Sequence, residues 1–551
     1  MLKNLLNPSK KIFNLTAIVI LLLAGWVIYA NCLGNEMFWD DDDFILKNRY
    51  IKDFSFWPLW FKENLVAGSY FVSNYWRPTL LAVFTTEWHF FKENVYGWHA
   101  VSVWWHLIDG ILVYWLFARL FDNRLLSLII ALIFIIHPVH NEAVVYVNSL
   151  GDSLATFFVL LSLIAYAHFR ASKKPALLSR SYYASLLLFP LAVTSKETGF
   201  VLCGLLPLMD FLLFQQSSSI KQRLIKTATV VWPLLLMAVY YVYLRGTILN
   251  FSNSFNFYNE SNEFTTNIFL RLMTFFKAMT QYTGFLFIPY ELRVERQMPF
   301  AHSLLEPDVL FGGLLVSLLV WGFFRNWSKK PWISFGIGWF FIAIAPASNV
   351  LVPINALIYE HFLYVPMIGI TSLVVGWLAT QASSLPSIKK VLWFVLGAYV
   401  IFFSVMGIKR NLDWRTAIIF YEKLSYYSPS YRVINNLGME YADKGIHDKA
   451  EEWYLKAIAM DPKNPVAYHN IGGTYRDTGR MEQSIESFKK AIELNPNFIF
   501  SYRSLAEIYW RLGQYEEAYR YLSAVTNYDP NDKNAAMAMA ELTRILKARQ
   551  P

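Results

Sequence analysis

The chain has 551 residues, of which 55% are hydrophobic and only 16% charged, where an ordinary soluble domain has about 25% charged. That composition excludes a wholly soluble enzyme. The net charge of +9 reads as cytoplasmic loop charge, so nucleic acid is not an expected partner, and two cysteines, Cys32 and Cys203, are too few for a disulfide framework or a metal finger.

The average hides a break. Up to about residue 408 the chain is a series of apolar runs, and from Lys409 onward it is polar with a helical pattern. The reading is an all-α protein of two domains, a polytopic membrane domain (1–408) and a C-terminal domain (409–551). Lys3, Lys10 and Lys11 precede the first apolar run, which is long enough to span and ends on Asn31-Cys32-Leu33-Gly34-Asn35, a poor cleavage signal. An uncleaved first helix with its start in the cytoplasm is expected. The runs are 12–33, 99–120, 125–141, 152–168, 182–195, 198–214, 227–248, 306–324, 332–350, 361–381 and 390–408, eleven spans in all. With that start the inside loops carry Arg119 and Arg124; Arg170, Lys173, Lys174 and Arg180; Lys221, Arg223 and Lys226; Arg325, Lys329 and Lys330; Lys389 and Lys390. All five obey the positive-inside rule. An odd number of spans leaves the C-terminal domain on the non-cytoplasmic side, with long outer loops at 34–98 and 249–305. The first holds Trp57, Trp60, Trp76, Trp88 and Trp98 and is expected to lie in the membrane interface.

Four carboxylates, Asp40 to Asp43, follow the first span. Adjacent carboxylates repel and do not enter hydrocarbon, so they belong in water or in a polar cavity at the membrane surface. There a carboxylate can take the proton of an attacking hydroxyl. Further polar clusters end other spans on the same expected side: Trp76-Arg77-Pro78, His137-Pro138-Val139-His140-Asn141-Glu142, Ser195-Lys196-Glu197, Pro346-Ala347-Ser348-Asn349 and Glu360-His361. Pro138 disturbs any one-turn pairing of His137 with His140, and no HExxH spacing is present. A structural hydrogen-bond cluster is the preferred reading for His137, while His140 and Glu142 are candidates for contact with donor or acceptor. Arg77 has the geometry for phosphate. Lys196 is equally readable as a phosphate ligand or as an ion-pair partner. No metal site is favoured, although the aspartate run has oxygen ligands of the kind Mg or Ca takes.

The C-terminal domain repeats. Ser428-Pro429, Asp461-Pro462, Asn495-Pro496 and Asp529-Pro530 recur every 33 or 34 residues, and Gly445, Gly479 and Gly513 every 34, as do Tyr441, Tyr475 and Tyr509. This is the tetratricopeptide period, two helices per unit with Gly at the turn. Three units (431–464, 465–498 and 499–532) and a capping helix from Asn534 to Gln550 form an α-solenoid with a concave face suited to a protein or peptide.

Taken together, Asp40-Asp41 with Ile45 and Asn48, Arg77-Pro78, the run from His137 to Val144, Asp152, Lys196-Glu197 with Gly199, Ala347-Ser348-Asn349, Glu360 with Leu363-Tyr364-Val365-Pro366, and Arg410-Asn411 with Trp414 resemble the transmembrane and tetratricopeptide-repeat (TMTC) O-mannosyltransferases. The resemblance implies a GT-C glycosyltransferase fold and transfer of mannose or another hexose from a polyprenyl phosphate to Ser/Thr hydroxyls of proteins. It implies no certain cofactor and leans away from a metal. It places the general base on the Asp40 and Asp41 pair, the donor phosphate near Arg77, Lys196 and His361, and other substrate contacts at His140, Glu142, Glu197 and Glu360. Leu150 stands where the family usually has Arg two residues before Asp152, and His361 where it often has Arg. Few repeats imply a bacterial homologue, in an inner membrane with its repeats periplasmic. The competing readings are transfer to a lipid or glycan and a non-catalytic membrane-anchored scaffold for envelope complexes.

Overall fold

The computed structural model describes residues 8–549 apart from 173, 217–218, 252–261, 290–291, 295, 297, 355, 385–388 and 529–531. Lys3, Lys173, Asp529-Pro530 and Gln550 lie outside the described residues. Within them every regular element is helical. The chain forms two compact units, Met1–Thr416 and Ala417–Pro551.

Among the described residues of the first unit, eight helices are long and apolar enough to cross a membrane. Arg124–Ile136 with Pro138–Val145 makes a ninth if the pair, bent by 50°, is one span. The remaining two expected spans are shorter helices, Arg180–Ser195 and Pro331–Ala347. The unit is that of a multi-pass membrane protein. Val147–Ser172 lies at its centre, with 72% of its apolar window buried, whereas Pro307–Asn326 and Lys389–Trp414 are peripheral at 11% each.

Two expected loops fold further than the sequence reading foresaw. The segment 249–305 contains the 20-residue helix Ile268–Phe287, whose apolar run is interrupted by Arg271 and Lys277. It lies close against Pro307–Asn326: a Cβ on Gly312 would fall 1.8 Å from the Phe276 carbonyl oxygen. Its Tyr282, Phe285 and Leu286 pack with Ile344, Leu363 and Met367. The first outer loop builds its own core from Ile45, Ile51, Trp60, Leu65, Phe84 and Trp98. Trp60, Trp76 and Trp98 are therefore interior residues, and Trp57 stays exposed. The indole N–H groups of Trp60 and Trp98 donate to the Tyr50 and Lys92 carbonyls (3.0 and 2.8 Å), which a wet interface would not require.

The second unit is a stack of helix pairs: Tyr431–Asp443 with His447–Met460, Pro465–Asp477 with Met481–Leu494, and Ile499–Arg511 with Tyr515–Tyr528, closed by Lys533–Arg549. The glycine and tyrosine periods have one cause. Gly445, Gly479 and Gly513 have φ of +73°, +78° and +72°, the left-handed conformation that ends each first helix. The residue after each glycine donates its N–H to the carbonyl of Tyr441, Tyr475 or Tyr509 (2.8, 2.8 and 2.9 Å). Ala457 and Ala491, fully buried, let paired helices approach.

Two glycines six residues apart, Gly473 and Gly479, should therefore respond oppositely to alanine. Gly479→Ala forces a Cβ into the left-handed region and should cost about 1–2 kcal/mol. Gly473, mid-helix with open space at its Cβ position, should gain about 1 kcal/mol from the same change. Urea unfolding followed by circular dichroism tests both signs.

Candidate functional site

Burial dictates the site's construction. A charge at membrane depth is tolerated when it is paired, and here the pairs join remote segments. Arg77 precedes helix Pro78–Phe91 and donates from Nε and Nη2 to the Glu197 Oε2 (3.0 and 2.7 Å). Lys196 donates to Asp152 (2.7 Å). Lys196 is in extended backbone, so its side chain and that of Glu197 diverge, and these sequence neighbours serve different bridges. His361 meets Glu142 twice: its backbone N–H donates to Oε2 (3.0 Å), and its Nδ1 lies 2.7 Å from Oε1. Arg410 joins Glu360 (3.1 Å) and Asp413 (2.8 Å). Each cation expected to serve the donor phosphate, Arg77, Lys196 and His361, thus carries a carboxylate of its own. Leu150 is a fully buried core residue.

The four aspartates divide by environment. Asp42 and Asp43 are half-exposed and lie 3.0 and 3.9 Å from the Lys47 ammonium. Asp41 is 2% exposed, and its Oδ1 accepts the Asn148 backbone N–H (2.9 Å). Burial pushes its carboxyl well above the usual range, against the pull of that hydrogen bond. Asp40 is partly buried and faces inward, within electrostatic reach of Tyr75, Tyr146 and Tyr359. Trp39 holds this turn with φ +63°, unusual for a bulky residue. Its ring stacks on Tyr146 (5.3 Å), which stacks in turn on Trp414 (5.4 Å).

The tyrosines tie the bridges into one polar layer. Tyr75 feels Arg77, Glu197 and Asp40; Tyr359 feels Glu142, Asp40 and Tyr75; Tyr282 feels Glu142. Asp40, Arg77, Glu142, Glu197, Glu360 and His361 accordingly belong to a single site. His140 stands apart. It is fully buried against Phe134 and Tyr364 (ring centroids 4.6 and 4.8 Å), and neither ring nitrogen has a partner among the described residues. His137 is a pin: its Nε2 bonds to the Leu286 carbonyl (3.0 Å) and its Nδ1 accepts the Val139 N–H.

Asn141 donates to the Gly407 carbonyl and to Asn411, and Asn411 donates to the Ile28 carbonyl and to Asn31. The first span, the bent segment and the last span are thereby tied beneath the aspartates. Asn349 shapes the loop leading to Glu360, donating to the Ala356 carbonyl and accepting from the Ile354 N–H (2.8 and 2.6 Å). Sequence reasoning passed over Tyr75, Tyr146, Tyr359 and Arg245. Arg245 had a legible signal: an arginine at the expected outer end of a span, against the positive-inside trend.

Fold and site together define a multi-pass membrane protein with buried acid–base pairs and a tetratricopeptide-repeat domain. Two repeat models match, "Tetratricopeptide repeat" over residues 475–542 and "TPR repeat" over 438–479. Curated relatives matched over about 80% of the chain are TMTC-type protein O-mannosyl-transferases. Protein O-mannosyl-transferase F38B6.6 of Caenorhabditis elegans is 24% identical over 470 residues, 81% of this chain and 63% of that protein. Human TMTC3 is 24% identical over 82% of this chain and 52% of its own length, and human TMTC4 23% identical over 78% and 64%. The chain spans roughly half to two-thirds of the length of these relatives.

Glu360 makes the site sensitive near neutrality. Burial raises its carboxyl from 4.5 to about 7, with Arg410 opposing. The folded protein holds this proton while the unfolded chain releases it near 4.5, so the stabilisation is complete below 4.5 and is lost as pH rises through about 7. Relative to Glu360→Gln, wild type should therefore lose thermal stability across that window and level off above it. A difference between the two melting temperatures that stays flat with pH would contradict the assignment.

Proposed function

We propose that this protein is an integral-membrane glycosyltransferase that moves mannose or another hexose from a polyprenyl-phosphate donor to Ser/Thr hydroxyls of protein acceptors held by its repeats. The observation that carries this reading is the gathering of Asp40 with the Arg77–Glu197, Lys196–Asp152, His361–Glu142 and Arg410–Glu360 pairs in one polar layer. The names of the curated relatives support the class of reaction.

In the proposed step the acceptor oxygen attacks the anomeric carbon and its proton passes to a carboxylate. The bond from that carbon to the phosphate oxygen breaks, and the electron pair leaves with the phosphate. Asp40 is the proposed base. It is partly buried and aimed at the tyrosine cluster, whereas Asp41 is occupied in holding the backbone at Asn148. The paired cations of the site offset part of the leaving charge. Glu142, Glu197 and Glu360 stand as sugar or acceptor contacts, and Arg77, Lys196 and His361 as cations near the phosphate. His140 backs Tyr364 from within the bundle.

The proposed setting is a bacterial inner membrane, with the N-terminus cytoplasmic and the repeats and aspartates on the opposite side. Reporter fusions after Met439 and near Glu36 should both read non-cytoplasmic, and a cytoplasmic signal from either would separate acceptor binding from the chemistry.

The catalytic test is transfer to a protein acceptor. Loss of a positioned carboxylate costs about 10²–10⁴ in rate. Asp40→Asn should fall in that range while donor binding persists, and Asp43→Asn, changed at a half-exposed carboxylate, should stay near wild type. Full activity in both Asp40→Asn and Asp41→Asn would move the base to Glu142. Absence of transfer by the wild-type protein on every acceptor would favour the scaffold reading, and transfer confined to lipid or glycan acceptors would replace the protein acceptor.

A further inference from the structure

The bridges described above neutralise their own cations. A different arrangement lies at the end of helix Ile220–Gly246. Arg245 is 5% exposed, yet its Nη1 donates to the Leu249 carbonyl (2.8 Å) and its Nη2 to the Asn74 carbonyl. Carbonyls satisfy hydrogen bonds without cancelling charge. Among the described residues no carboxylate is ion-paired with Arg245. The carboxylate that feels it is Glu197, whose Oε2 is already taken by Arg77. Two buried guanidiniums thus draw on one carboxylate, whose Oε1 is itself buried without a partner among the described residues, so positive charge at Arg245 is locally under-compensated where an incompletely paired ion is costly.

A second observation at the same place points to a ligand. The Tyr241 hydroxyl and the Trp76 indole N–H are buried and have no partner among the described residues. Their rings are 5.9 Å apart, and Tyr241 is one helical turn before Arg245 on the same helix and within electrostatic reach of both arginines. Buried donors normally have partners. A tetrahedral anion supplies what is missing, since its negative charge compensates Arg245 and its several oxygens accept from donors on different sides.

We propose that Arg245, with the Tyr241 hydroxyl and the Trp76 indole N–H, binds the phosphate of the lipid-linked donor and keeps it after the sugar has left. The identity of the anion rests on the transferase reading above; the anion site itself rests on the under-compensated charge and the unused donors. Arg77, tethered by Glu197 and lying over the Tyr75 ring at 4.4 Å, is the fixed edge of the site, and Arg245 is the cation with charge to give.

The experiment measures binding of polyprenyl monophosphate, inorganic phosphate and phosphatidylglycerol to the full chain in nanodiscs of neutral lipid. Polyprenyl monophosphate should bind wild type, and Arg245→Gln should weaken it about tenfold or more, the worth of a hydrogen bond to a charged group. Arg245→Lys should recover part of the loss, because a point charge replaces the fork. Tyr241→Phe and Trp76→Phe should each weaken binding severalfold. Wild-type affinity in a folded Arg245→Gln protein would overturn the proposal. If that variant does not fold, wild-type affinity in both Tyr241→Phe and Trp76→Phe overturns it instead. Binding of inorganic phosphate that depends on Arg245, with no binding of polyprenyl monophosphate, would uphold the anion site and sink the donor assignment together with the transferase reading. Equal competition by phosphatidylglycerol would reassign the site to a membrane headgroup, and binding of none of the three anions would overturn the site.

Discussion

An ion in a low-dielectric layer needs a counter-ion, and the first unit is arranged around that requirement. Arg77 and Glu197 are 120 residues apart, Glu142 and His361 219 apart, and Glu360 and Arg410 50 apart. Each bridge therefore fixes two helices or loops that packing of apolar surfaces alone would leave free to slide. Breaking a buried pair by removing one partner costs about 3–5 kcal/mol, because the other charge is stranded. The same bridges that hold the helices in register line the site, so the stability of the unit and its chemistry share residues.

The end of the last span is where these ties converge. Arg410 holds Glu360, Asn411 meets Asn141 and Asn31, and Trp414 stacks on Tyr146. Tyr146 lies between Trp414 and Trp39, and Trp39 adjoins Asp40. A short motif that reads in sequence as a junction is thus built into the floor under the aspartates. It belongs to the first unit, which runs to Thr416. The left-handed Trp39 is a local cost of about 1–3 kcal/mol, and the ring stack offsets it.

The charge pattern around Glu197 contrasts with the rest of the layer. Paired cations stabilise the fold but have little charge left for a ligand. An arginine bonded only to carbonyls, beside unused donors, is stabilised further when an anion arrives. The sequence reading went to arginines and lysines inside motifs. The structure distinguishes them by what each already holds.

The apolar runs, the positive loops and the repeats were legible because each depends on local composition or spacing. Length in hydrocarbon sets a span, a repeated helix pair sets the 34-residue period, and the left-handed glycine returning to a tyrosine carbonyl fixes the spacing of Tyr and Gly within each unit. The aspartates and the other acid and base clusters could also be named in advance, since charges beside apolar runs are rare. What the sequence could not decide is partnership. Lys196 and Glu197 are neighbours that bond to different segments, and Asp40 to Asp43 are chemically identical residues that burial separates into a base candidate, a loop anchor and two surface acids. Helix Ile268–Phe287, carrying its own charges, was equally out of reach, and Arg245 could be noticed at the outer end of an apolar run without its partners being known. Local patterns determine which segments become helices and which enter the membrane. Only the tertiary arrangement decides which charge cancels which, because that depends on distances between residues far apart in the chain.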